Sequence, residues 1–429
     1  MTSVALQGYA SEAGPLIELL IRKGIITDQE AEDLRAELAA DFADTSAGKI
    51  EIGSTVKQLK TKVDIRTRYQ YEDVSKAGSD DQKHRSRWRY RIKIGADYLF
   101  ARGWSAGLQL ETAEASDSTN ADFGGYFDKN NDGLFLGQIY IDYTNSTDWA
   151  DLANFTIGKK KHPFLISSAF WDSDINPEGF TEQLGWRLEG EDWITFRAGE
   201  YLIDEEREDK SSSAEDDWLF MGQMEYTKHL GMKSNLRIAP MFLVETGGTT
   251  STATAEGGNT PTNENGIPYF KDFFAVALPV EYTFLVDEKP HKIWAMYGIN
   301  LYGDDAVNTE GSPYRPIDAN VGQTFDSKNS FFNIGYTYGK AKNIKDWDIS
   351  IEYRYIEAAA FTPNLSDSDF GKNALNQSGF VISGGYMISD GIKLGATIMH
   401  SSQIDDNWES TVAGKGDVDI LQIDLNAKF

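Results

Sequence analysis

The chain has 429 residues, no cysteine, and a formal charge of −26. Disulfide and thiolate chemistry are therefore excluded, and so small a basic share argues against a nucleic-acid binder. No run of about 18 apolar residues occurs, which removes a transmembrane helix but not a transmembrane barrel, whose strands carry only every second residue apolar.

Residues Met1 to Pro15 lack a basic start and a long apolar core, so no secretory signal is expected there. Between 16 and 38 the pattern is helical. Leu16, Leu19, Leu20 and Lys23 share a face, Gly24 is a natural stop, and Thr27 with Glu30 forms a capping box opening a second helix lined by Ala31, Leu34 and Leu38. Residues 42–49 read as a linker, so the expected organisation is a helical, periplasmic extension over 1–48 and a barrel domain over 49–429.

From Lys57 onward the period is two. Sixteen strands are expected, near 57–73, 84–100, 104–115, 134–145, 153–161, 180–189, 193–204, 218–228, 234–245, 273–284, 291–303, 331–340, 347–358, 377–387, 392–403 and 417–429. Short connections (101–103, 190–192, 230–232, 389–391) alternate with long ones (116–133, 162–179, 246–272, 304–330, 359–376), as in a 16-stranded antiparallel transmembrane β-barrel with external loops at one end. The last strand, Asp417 to Phe429, puts Leu421, Ile423, Leu425, Ala427 and Phe429 on one face and Gln422, Asp424, Asn426 and Lys428 on the other.

The second strand identifies the wet side. Arg85, Arg87, Arg89, Arg91 and Lys93 alternate with Trp88, Tyr90, Ile92 and Ile94, and Arg66 and Arg68 take the same phase in the first strand. A charge on the lipid face costs about 2–4 kcal/mol at mid-bilayer, so this row must face a watery lumen. Phe274, Val276, Leu278, Val280 and Tyr282, and Leu236, Ile238, Phe242 and Val244, are the matching lipid-facing rows.

Two motifs complete the reading. Lys159-Lys160-Lys161-His162-Pro163-Phe164 runs into Phe170-Trp171-Asp172-Ser173-Asp174-Ile175-Asn176-Pro177-Glu178-Gly179, and Lys23 to Ala31 reads Lys-Gly-Ile-Ile-Thr-Asp-Gln-Glu-Ala. On these the chain resembles the bacterial outer-membrane "putative porins". The resemblance implies sixteen strands, a homotrimer in outer-membrane lipid, and passive diffusion of small hydrophilic solutes. It also implies that the 162–179 loop folds into the lumen. Asp172, Asp174 and Glu178 would then form the acidic side of a constriction facing Arg66, Arg87, Arg89, Arg91 and Lys160. The alternative is that the basic ladder pairs with loop carboxylates only to stiffen the wall.

Asp128, Asn130 and Asp132 occupy the first three ligand positions of a calcium loop with Gly133 at the sixth, but position twelve is Ile139. A complete calcium loop is absent; an Asx-rich turn is favoured over a partial calcium site, and no cofactor is otherwise expected. The five histidines are scattered and no nucleophile elbow occurs, so an enzyme is not expected. Besides the channel, two further functions stay open: a structural or adhesive barrel tied to the cell wall through residues 1–48, and an outer-membrane hydrolase.

Overall fold

The computed structural model describes residues 17, 19–23, 25–27, 29–32, 34, 55–76, 82–113, 118–124, 133–205, 216–231, 233–246, 273–302, 314–316, 328–357, 360–362, 365–373, 375–404, 408–410 and 415–429. It divides into two units, residues 1–54 and 55–429. In the first, residues 19–22 and 29–32 are helical, and the expected capping box forms: Glu30 Oε2 accepts from the Thr27 amide at 2.8 Å, and Thr27 Oγ1 accepts from the Glu30 amide at 3.3 Å.

The second unit is a closed antiparallel barrel of sixteen strands. They are β1 (Val56–Lys76), β2 (Gln82–Phe100), β3 (Trp104–Ala113), β4 (Gly133–Asn145), β5 (Leu152–Lys159), β6 (Glu178–Arg187), β7 (Trp193–Asp204), β8 (Asp217–His229), β9 (Asn235–Ile238 and Met241–Thr246), β10 (Phe273–Val286), β11 (Lys289–Asn300), β12 (Ser330–Gly339), β13 (Trp347–Ile356), β14 (Gln377–Ser389), β15 (Ile392–Gln403) and β16 (Lys415–Lys428). Each expected strand is present, with ends shifted by a few residues. Pro240, which has no amide hydrogen to donate, splits β9 without changing its register. Closure comes from β1 against β16, from Asp64 opposite Lys428 to Lys76 opposite Lys415, and Val63 and Phe429 exchange backbone hydrogen bonds at 3.0 and 3.2 Å.

The outer wall follows the expected phase, with Trp88, Ile94, Phe242, Leu278, Ile423 and Leu425 exposed. Aromatic pairs mark the short-turn rim: Trp104 with Tyr143, Trp149 with Trp186, and Tyr338 with Trp347, at 5.0, 6.2 and 5.1 Å between ring centres. Such rings suit a membrane–water boundary, being apolar with one polar tip.

The interior departs from the expectation of a uniformly wet lumen. Leu219, Met221, Met241, Leu243, Phe273, Ala275, Met296 and Phe331 also point inward, and all are buried. The reason lies in the loops. On these strands the apolar residues run unbroken, as in Leu219-Phe220-Met221 and Phe273-Phe274-Ala275-Val276, because one face meets lipid and the other meets a folded-in loop.

Candidate functional site

The loop between β5 and β6, hereafter L3 (160–177), crosses the lumen. It leaves the wall through a pinched base. Gly158 and Gly179 stand opposite each other with φ of +121° and +150°, and a Cβ on either would meet a neighbouring carbonyl oxygen, at 2.3 Å from Ile139 and 2.0 Å from Glu200. Only glycine permits this close approach, and the Lys160 amide donates to the Pro177 carbonyl at 3.2 Å to close the base.

Three contacts hold L3 inside. Gln223 of β8 clamps Leu165, donating to its carbonyl and accepting from its amide, both at 2.8 Å. Phe164, Ala169, Phe170 and Trp171 pack on the inward apolar rows; Phe170 is fully buried, with ring centres 4.6 Å from Phe331 and 5.7 Å from Phe361. Ser167 Oγ lies 2.7 Å from Asn333 Nδ2 and 3.4 Å from Glu352. His162 is partly buried against Trp171, with ring centres 4.6 Å apart; desolvation, with the charge of Lys161, pushes its pKa down to about 3, so the ring stays neutral.

L3 is joined to a second loop, L7 (357–376). The Asp172 amide donates to the Leu365 carbonyl at 2.7 Å, and the Ser368 amide donates to Asp172 Oδ2 at 2.9 Å. L7 is anchored by Arg354, which pairs with Asp367 at 2.5 Å and Glu352 at 2.9 Å. Burial, with the negative charge of Asp367, raises the Asp172 carboxyl to about 6, although the amides of Asp174 and Ser368 oppose this.

Facing L3 is the basic wall, and its charges are matched. Arg68 meets Asp424 at 2.7 Å and Asp369 of L7 at 3.4 Å. Arg87 meets Glu72 at 2.6 Å, and Glu72 also meets Lys372 of L7 at 3.1 Å. Arg85, Arg87 and Arg89 converge on Asp122 at 2.7, 3.3 and 2.9 Å. That carboxylate is carried by residues 121–122, which pair with β2. Arg91 meets Asp64 at 3.1 Å, Lys93 meets Glu111 at 3.0 Å, and Arg66 donates to Asn120. Asp174 bridges L3 to this wall, 3.2 Å from Lys93 and 3.9 Å from Arg91, and accepts from Thr119 Oγ1 at 2.8 Å. Burial acts to raise its pKa, but Lys93 and Arg91 outweigh it and hold the carboxyl below the ordinary range.

The expected site residues divide by where the structure puts them. Arg66, Arg68, Arg87, Arg89, Arg91, Lys93 and Asp174 come together in the lumen; Arg85 shares their phase at the open rim, more than half exposed. Lys160 faces inward but binds Asp142 at 2.8 Å, away from L3's acidic tip. Asp172 enters the lumen yet serves the L3–L7 joint, not the basic wall. Glu178 is not at the constriction. It is the first residue of β6, two before the lipid-facing Phe180, so strand alternation turns it outward to Lys159 at 3.0 Å. Asp128, Asn130 and Asp132 lie outside the described residues. Asp122, Glu72, Asp369 and Asp424 were not anticipated.

None of the curated proteins matches the chain. Among solved structures, OprB of Pseudomonas putida is 8% identical over 91% of this chain and 96% of its own, with a TM-score of 0.50. OmpF of Salmonella typhi, solved with daunomycin, is 11% identical over 89% of this chain and 100% of its own, with a TM-score of 0.49. The channel DcaP of Acinetobacter baumannii is 13% identical over 89% of this chain and 100% of its own, at 0.44. At such identity the OprB likeness speaks to the fold alone. The family described as "Putative porin" matches residues 53–270 and 281–429. Sixteen closed strands, a lumen crossed by L3, and that match over most of the chain lead to one conclusion: the chain belongs to the porin family, whose members are outer-membrane channels for passive diffusion.

Proposed function

We propose that small hydrophilic solutes and ions cross this barrel through the gap between L3 and the basic wall of β1 and β2. The observation that carries the reading is the seating of L3. Its apolar side is spent on the β8–β12 half of the lumen, and its tip reaches the basic wall through Asp174. A solute in the gap meets Arg66, Arg68, Arg91 and Lys93 on one side and Asp174 on the other, which orients dipolar, hydrated species. In this reading the long loops are external and residues 1–48 periplasmic. The working form is a homotrimer, and mass measurement in mild detergent tests this. The lumen groups serve permeation rather than catalysis. Purified protein inserted into planar bilayers gives discrete ohmic steps; folded barrels that insert without conducting would refute the reading.

A further inference from the structure

The outer wall carries a cluster that permeation does not use. On β15, His400 and Ser402 have the same phase as the exposed Leu394 and Ile398, so both point away from the lumen. On β16, Asp419 has the phase of the exposed Ile423 and Leu425 and stands directly opposite His400. Asp419 Oδ1 lies 2.8 Å from His400 Nδ1, and Ser402 Oγ lies 3.3 Å from His400 Nε2. His400 and Asp419 are about half exposed. The sequence offers no elbow motif because none is needed: alternate residues of one strand supply base and nucleophile, and its neighbour supplies the carboxylate.

We propose that Ser402, His400 and Asp419 form a serine hydrolase site on the outer wall of the barrel, acting on acyl esters of membrane lipids. A nucleophile hydrogen-bonded to a base, which is in turn oriented by a carboxylate, defines this chemistry on unrelated folds. A neutral ring donating Nδ1–H to Asp419 keeps its lone pair on Nε2, toward Ser402. Ser402 Oγ attacks the ester carbonyl carbon, its proton passes to Nε2, and the carbonyl π pair moves onto oxygen. Collapse breaks the bond to the alcohol oxygen, which takes the proton from His400. Water then cleaves the acyl-serine by the same two transfers, releasing a carboxylic acid and free Ser402. Ser378 of β14, opposite Ser402 and on the same face, is the neighbouring hydroxyl for the developing oxyanion. The surroundings select the substrate. Phe380 lies opposite His400 and, with Ile382 and Ile398, forms an exposed apolar shelf on the bilayer side, while residues 404–414 follow directly after Gln403. An acyl chain on the shelf brings its ester to Ser402, and neither water-borne solutes nor the lumen reach this face as readily. A second histidine, His84, has Asp73 at 3.2 Å and the Tyr71 hydroxyl at 3.3 Å, both on Nδ1, so it makes no equivalent site.

The test uses the full-length protein in detergent micelles with p-nitrophenyl palmitate and a diacyl phosphatidylethanolamine, and separately with a fluorophosphonate label followed by peptide mapping. The wild type is labelled at Ser402 and releases fatty acid. Ser402→Ala loses both, and His400→Ala slows release by about 10²–10⁴-fold, as for loss of a general base. Asp419 is a positioning residue: Asp419→Asn lowers kcat for ester release and leaves KM unchanged, a split that a merely structural role would not give. Conductance in planar bilayers reports folding of every variant, since these side chains lie outside the lumen, and its outcome is independent of ester release. Absence of label at Ser402 in a conducting wild type, or release undiminished in a conducting Ser402→Ala, overturns the proposal.

Discussion

Replacing Phe170 by Ala tests whether L3 is held by its apolar side. The ring is fully buried among Phe331, Phe361 and the inward rows of the barrel. A phenylalanine buries roughly 150–250 Å², worth about 4–6 kcal/mol at ~25 cal/mol per Å². Truncations of this kind cost about 3–5 kcal/mol once partial collapse is allowed. A loss of about 4 kcal/mol raises release of L3 from the wall about 10³-fold, at 1.4 kcal/mol per factor of ten. The barrel itself is unaffected, because its strands pair through backbone hydrogen bonds that L3 does not share. Single-channel recordings should show larger or flickering open levels, and hydrogen exchange at the amides of Phe170 and Trp171, both bonded to the Ser167 carbonyl, should quicken. Wild-type conductance together with wild-type exchange would refute the packing argument.

The L3–L7 joint should weaken as pH rises. Asp172 titrates near 6 against an ordinary 3.8, so the folded joint holds a proton that a released loop gives up; its stability is full below about pH 4 and falls through pH 6, by roughly 3 kcal/mol in all. Conductance noise should therefore grow from pH 4 to 7.5, and Asp172→Asn should abolish that dependence. Arg354→Ala strands Glu352 and Asp367 without their cation, which costs about 3–5 kcal/mol; faster exchange across residues 365–369 at unchanged strand protection checks it. Neutralising Arg87, Arg89 and Arg91 together leaves Glu72, Asp122 and Asp64 short of cations. Reversal potential in a salt gradient should move toward cation selectivity, and an unchanged value would show that the pore runs elsewhere.

Strand number and phase were legible because lipid on one side and charge on the other enforce a period of two. Arg85 to Lys93 is the clearest case, since no alternative register keeps those charges out of lipid. The inward apolar rows were hidden by the same logic. Met221, Leu243 and Phe273 look like surplus beside the lipid-facing row until a loop is known to cover them, although the unbroken apolar runs were the available signal. Partners of the ladder were illegible for a different reason: Asp424 reaches Arg68 only through barrel closure, and Asp122 and Asp369 arrive on loops with no period. Glu178 was misplaced by a two-residue error in where β6 begins. His400 and Ser402 were visible as alternate residues of one strand, but their carboxylate required the register of β15 on β16.

The matched charges of the basic wall also set how far its influence extends. Isolated arginines would act as monopoles, drawing counter-ions from bulk across a Debye length of about 8 Å. Arg68 with Asp424, Arg87 with Glu72 and Arg91 with Asp64 are instead short dipoles, whose potential falls off more steeply with distance. The wall therefore turns a solute already inside the gap but contributes little to capturing one from outside. Entry rates should then depend only weakly on ionic strength, while residence within the gap depends on how well a solute's own dipole aligns.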